Sequence, residues 1–101
     1  MKFLFWAKIH EIKDDLVVAI CDEELLGKKI KIKENFEIEI SEEFYGGKLI
    51  DEKNAIELIK KATIANLFGN KIVEIAIREN LIEKENVIEF KGIKHAQIIE
   101  L

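Results

Sequence analysis

The chain carries one cysteine, one tryptophan, one tyrosine, one arginine and no proline in 101 residues. A lone thiol, Cys21, excludes an intramolecular disulfide and a multi-cysteine zinc site. No stretch reaches the roughly 18 uninterrupted apolar residues of a membrane-spanning helix. The amino-terminal segment also lacks the apolar core and small-residue cleavage site of a secretory leader. A soluble, cytoplasmic protein with one domain over residues 1–101 is therefore the expectation, with no membrane partner. Phosphate loops of the Walker or dinucleotide kind are missing too. No nucleophile with its base, no acid/base pair and no set of metal ligands can be placed by spacing, so no catalytic residue, cofactor or metal is expected.

What is present is 49% hydrophobic and 36% charged residues, with a net charge of −4. A chain of this length buries roughly 65% of its unfolded surface, enough for a core without staples. Isoleucine outnumbers leucine 19 to 9, lysine stands at 15 against the lone Arg78, and glutamate exceeds aspartate 16 to 4. Lysine and glutamate enrichment is the bias of hyperthermophile proteomes, although AT-rich coding yields the same bias and the missing proline cuts mildly against heat adaptation. The acidic balance opposes strong phosphate-driven affinity for nucleic acid.

Hydrophobic periodicity orders the chain. Phe3, Phe5, Ala7 and Ile9 alternate with Leu4, Trp6, Lys8 and His10, a period of two that predicts a strand. Lys13-Asp14-Asp15 interrupts it, and the apolar run from Leu16 to Cys21 reads as a central strand in a hairpin with the first. Asp22 is positioned to cap a helical turn through Leu26, closed by Gly27. Next, Lys29, Lys31 and Lys33 alternate with Ile30 and Ile32, then Glu37 and Glu39 with Ile38 and Ile40. Antiparallel pairing that sets lysine against glutamate and isoleucine against isoleucine requires an odd, three-residue connection, with Asn35 suited to its left-handed position. Glu37, Glu39, Glu42 and Glu43 offset the lysines, so this charged face reads as a solvated ladder.

Phe44-Tyr45-Gly46-Gly47 marks a turn needing positive φ, whose exposed amides can receive an anion. Asp51 is the expected N-cap of a helical segment on which Ala55, Ile56, Ile59, Ala62 and Thr63 recur at helical spacing, ended by Gly69. Asn70 is the expected cap of a second helix, closed by a left-handed Asn80 and the hydrophobic contact of Leu81. From Asn86 the period returns to two through Ile88, Phe90, the Lys91-Gly92 turn, Ala96, Ile98 and Ile99. The order β-β-β-β-α-α-β-β predicts an α+β fold, a mostly antiparallel sheet of about five to six strands with two helices packed on one face.

Few residues stand out chemically. Cys21 reads as a small buried hydrophobe. His95 and Gln97 share a strand face, an arrangement that lines a groove or, mutually satisfied, holds a sheet end. Asn66, near a helix end among apolar neighbours, is suited to capping backbone. Trp6, Phe44 and Tyr45 read as core or interface ahead of base stacking.

Four segments, Cys21 to Lys28, Ser41 to Gly47, Ala62 to Gly69 and His95-Ala96-Gln97, resemble in order the archaeal family known as domain of unknown function 424. The resemblance implies an archaeal protein of this length and no particular chemistry. It also implies a shared surface drawn from Asp22, Glu23, Gly27, Tyr45, Gly46, Gly47, Asn66, Gly69, His95 and Gln97. The expected function is a non-enzymatic binding or assembly module in which Tyr45-Gly46-Gly47, Asn66 and His95/Gln97 form one polar-lined groove. RNA or a ribonucleoprotein is the first partner expected. The competing expectation is a small-molecule enzyme with Asp22, Glu23 and His95 as acid/base groups around a phosphate- or carboxylate-bearing ligand. A third is a homodimer formed through Leu4 and Trp6 of the first strand.

Overall fold

The computed structural model describes residues 2–100. Strand β1 (Leu4–Ile12) turns back through Lys13, at φ 55°, into β2 (Asp15–Asp22), and the pair forms the expected antiparallel hairpin. From Val17 onward β2 is buried on both faces, which its unbroken apolar run anticipates. A 3-10 turn (Glu23–Leu25) leads to the two-stranded ribbon β3 (Lys29–Lys33) and β4 (Phe36–Glu39). Its register sets Lys29 against Glu39, Ile30 against Ile38 and Lys31 against Glu37, the parity that charge and hydrophobicity demand. The odd residue is absorbed by an irregularity between Lys31 and Lys33, and Asn35 does not take positive φ.

The chain then passes through the short helix α1 (Glu42–Tyr45), strand β5 (Lys48–Asp51), helix α2 (Glu52–Lys61), strand β6 (Ile64–Phe68) and helix α3 (Asn70–Arg78). A second 3-10 turn (Lys84–Asn86) precedes the closing hairpin of β7 (Ile88–Phe90) and β8 (Ile93–Ile99). Lys91 at φ 53° and Gly92 at φ 82° form the tight turn of that hairpin. The fold is α+β, with a six-stranded mixed sheet in the order β5-β1-β2-β6-β8-β7 beside the ribbon.

The element order corrects the simpler reading in three places: helix α1 and strand β5 stand between the ribbon and α2, and β6 lies within the segment read as helix. The apolar spacing that begins at Ala55 does not continue as helix to Gly69; α2 stops at Ala62, whose N–H bonds back to the Leu58 and Ile59 carbonyls. Thr63 then clamps onto β2, its N–H donating to the Leu16 carbonyl at 3.0 Å and its Oγ1 accepting from the Leu16 N–H at 2.9 Å. With that anchor Ile64–Phe68 becomes the strand parallel to β2, Val17 opposite Ile64 and Cys21 opposite Phe68.

Both faces of the sheet are covered. Helices α2 and α3 bury Ala55, Ile59, Ile72, Val73 and Ala76 against Phe5, Val18, Ile20, Ala65 and Leu67. The other face is clad by the ribbon and α1, which bring Ile30, Ile40 and Tyr45 over Ala19, Cys21 and Phe68. Strand registers order this ribbon-clad face in rows. Leu49, Trp6, Cys21, Phe68, His95 and Ile88 form one, and Lys8, Ala19, Asn66 and Gln97 the next.

Candidate functional site

Asp22 ends β2 on the helix-clad side and is 2% exposed. Its carboxylate accepts the Lys71 N–H at 3.0 Å and the Ile72 N–H at 2.9 Å, the first free donors of α3. It makes no side-chain cap to the 3-10 turn beside it. Nor does Asn70 cap α3; its amide bridges instead to the Gly92 carbonyl and the Lys94 N–H of the closing hairpin. Burial pushes the Asp22 carboxyl above its usual value, while the two backbone donors pull it back down. Asp22 is thus a fully engaged structural group, and the expectation that it faces a ligand is corrected. The neighbouring Cys21 is buried, and desolvation, helped by the charges of Asp22 and Glu24, pushes its thiol up to about 12. Of this segment Glu23, Glu24, Gly27 and Lys28 stay exposed.

The Ser41 to Gly47 segment is likewise architectural. Ser41 Oγ accepts the Phe44 N–H at 3.1 Å and caps α1. Phe44 stacks on His10 with centroids 5.0 Å apart, and His10 Nε2 donates to the Phe44 carbonyl at 2.9 Å. Tyr45 is 5% exposed and stands edge-on to Phe68 in the second core, so it is no surface residue. Neither Gly46 nor Gly47 adopts positive φ. Gly47 is glycine because a Cβ there would strike the Ala7 carbonyl oxygen and come within 3.0 Å of Lys8 Cα.

Asn66, His95 and Gln97 do come together. Asn66 lies directly opposite Gln97, and His95 is the next residue on the same face of β8. Asn66 sits mid-strand, not at a helix end, and caps nothing. Among the described residues no buried side-chain nitrogen or oxygen lacks a partner, and neither amide bonds to protein, so both reach solvent. His95 is half-buried against the Phe68 ring, centroids 4.9 Å apart, with Phe90 at 6.1 Å. The sequence left Asn66 near a helix end only because it did not distinguish β6 from helix.

Burial holds the His95 imidazole below its ordinary value of 6.5. The unfolded chain therefore takes up this proton first as pH falls, and the stability that neutral His95 preserves above pH 6.5 is lost below it. His95→Phe is expected to flatten the fall in melting temperature between pH 7.5 and pH 5. An unchanged slope in thermal melts would refute this account.

Asp22 and His95 lie on opposite faces of the sheet, the one under α3 and the other beside Phe68. They do not share a pocket, which removes the acid/base arrangement expected of them. Trp6 is half-buried in the second core, and β1 is already paired on both sides along Leu4–Ala7, so strand pairing of a second copy there is closed.

A mixed sheet with helices on one face, a ribbon and short helix on the other, and one open amide-bearing margin defines a small α+β protein with no built catalytic cleft at these residues. The chain belongs to the family described as Protein of unknown function (DUF424), whose model matches residues 10–101. The crystal structure of an uncharacterized conserved protein from Methanopyrus kandleri is similar at TM-score 0.81 and 27% identity, covering 97% of this chain and 94% of that one. No curated protein matches the chain. No helix of the described residues is long and apolar enough to cross a membrane.

Proposed function

We propose that the chain is a non-enzymatic binding or assembly module of the cytoplasm of a heat-adapted archaeon, with the Asn66/Gln97 margin as its contact surface and RNA or a ribonucleoprotein as its partner. The observation that carries the reading is the cross-strand pair of solvent-reaching amides, free of protein partners, beside a half-buried imidazole. An amide offers both donor and acceptor, the combination that matches the edges of unpaired bases, and His95 and Phe90 offer ring surface beside it. Ile99, 55% exposed, adds apolar contact at the same margin. With a net charge of −4, binding of this kind depends on base edges more than on phosphates, so its salt dependence is shallow.

Retention on immobilised total RNA at varied salt tests the reading. Asn66→Ala with Gln97→Ala is expected to weaken retention about tenfold while leaving the salt slope unchanged, as loss of base contacts does. Complete absence of retention of the unsubstituted protein at low salt, or equal retention of the double variant, sinks it.

A further inference from the structure

We propose that the open edge of β1, Lys8–Ile12, is a strand-addition site for an extended peptide of another protein in which aliphatic residues alternate with lysine or arginine. Strand β1 has nine residues, yet β5 pairs only with Leu4–Ala7. Beyond Ala7 its outer side is left without a strand. The direction of the main chain there follows from two contacts. The Ala7 carbonyl oxygen points toward Gly47, on the β5 side. Leu16, paired with Glu11, sends its own N–H the opposite way, to Thr63 Oγ1. Alternate residues of a strand direct their N–H and C=O to the same side, so Ile9 and Glu11 present theirs to the open edge. No turn, loop or helix of the described residues takes these groups up. Such an edge is a ready template for another chain.

Each face beside this edge carries a depression, and the two differ in chemistry. On the ribbon-clad face a cavity of about 500 Å³ is lined by His10, Ile12, Glu39, Ser41, Glu43 and Phe44. The Ser41 hydroxyl is occupied by its own helix cap, His10 Nε2 by the Phe44 carbonyl and Lys8 Nζ by the Glu43 carbonyl oxygen. Although Lys29 stands across from Glu39, no described cation is bonded to either carboxylate, so the two glutamates give the cavity its character. On the helix-clad face a groove of about 230 Å³ is lined by Ala7, Ile9, Ile50 and Leu58, with Lys48 at its rim; the Lys8 side chain stands on the ribbon-clad face, its Nζ donating to the Glu43 carbonyl at 2.8 Å. Side chains of an added strand alternate between the faces, so one set meets carboxylates and the other meets aliphatic carbon. Charge complementarity selects lysine or arginine for the first and valine, isoleucine or leucine for the second. A second copy fits poorly. Laid antiparallel on itself about His10, this edge sets Ile9 against Glu11 and Lys8 against Ile12. The site is independent of the amide margin, which lies across β2 on β6 and β8.

The test uses the full chain and end-capped peptides Val-Lys-Val-Lys-Val and Val-Glu-Val-Glu-Val, with copies of the first N-methylated at alternate residues in either phase. The lysine peptide is expected to bind and to slow amide exchange at Ile9 and Glu11. Binding is expected to weaken by about tenfold or more on N-methylation in one phase and in Glu11→Pro, which removes an outward N–H. If Glu11→Pro does not fold, the methylated peptides probe the same bonds from the other partner. Equal binding of the glutamate peptide, indifference to N-methylation in both phases, or no binding of any peptide overturns the proposal. Slowed exchange at Ile9 and Glu11 on raising protein concentration alone, or on adding an RNA oligomer in place of peptide, overturns it in favour of a second copy or of nucleic acid.

Discussion

Asp22→Ala is expected to lower folding stability by about 3 kcal/mol, a large share of the 5–15 kcal/mol of a typical domain. The carboxylate that the substitution removes is the only described side chain serving the first free N–H groups of α3, and Ile72 lies in the core with no access to water. Loss of a helix cap costs about 1 kcal/mol, and a buried donor left unpaired adds about 1–3 kcal/mol. For a chain of this size the combined loss moves the melting midpoint by roughly 15 °C. Asp22→Asn is expected to cost about half as much, because its carbonyl serves one N–H while its amino group faces the other. Urea unfolding followed by circular dichroism measures both, and amide exchange at Ile72 locates the effect. A loss under about 0.5 kcal/mol for the alanine variant would mean that the carboxylate does not hold α3.

This interaction was outside the reach of sequence reading for a specific reason. The local pattern points Asp22 at the nearest helical turn, whereas the donors that it serves lie 49 and 50 residues further on. Some short-range signals fared otherwise, although the Asn70 cap and positive φ at Asn35 and Gly46-Gly47 do not form. Asp51 caps α2 through the Asn54 N–H at 3.0 Å, and Asn80 takes φ 58° while the Leu81 N–H closes on the Ala76 carbonyl at 2.8 Å. The ribbon register followed from parity because charge and hydrophobicity agreed on one pairing. In each of these cases the partners are close in the chain, so local chemistry determines the outcome.

Ile64–Phe68 shows where that logic stops. Five residues that extend a helical apolar spacing are equally good as a buried strand, and periodicity cannot choose between them. What chooses is Thr63 gripping Leu16, a contact over 47 residues. The same error hid the site: only once β6 is a strand does Asn66 fall opposite Gln97. His95 and Gln97 were legible as one face because two residues in a strand define it, whereas convergence with Asn66 required the β6–β8 pairing. Tyr45 and the two glycines stood out for packing reasons, and nothing in their residue types separates packing from contact with a partner.

Gly69→Ala is expected to be the most damaging small substitution in the chain, costing about 4 kcal/mol. Gly69 has φ 129° and ψ 147°, a region essentially closed to residues with a Cβ. The added carbon would stand 2.5 and 2.6 Å from the two Asp22 carboxylate oxygens. The backbone cannot yield easily, because the Gly69 N–H bonds to the Lys94 carbonyl at 2.8 Å and its own carbonyl accepts from Val73 at 3.1 Å. Two causes therefore add: strain in φ, of about 1–3 kcal/mol, and collision with the carboxylate. A double-mutant cycle separates them. In the Asp22→Ala background the collision is gone but the strain remains, so Gly69→Ala is expected to cost about 1–2 kcal/mol less there than in the parent. Strict additivity would show that the carboxylate is not what crowds position 69, and that glycine is required there by backbone conformation alone.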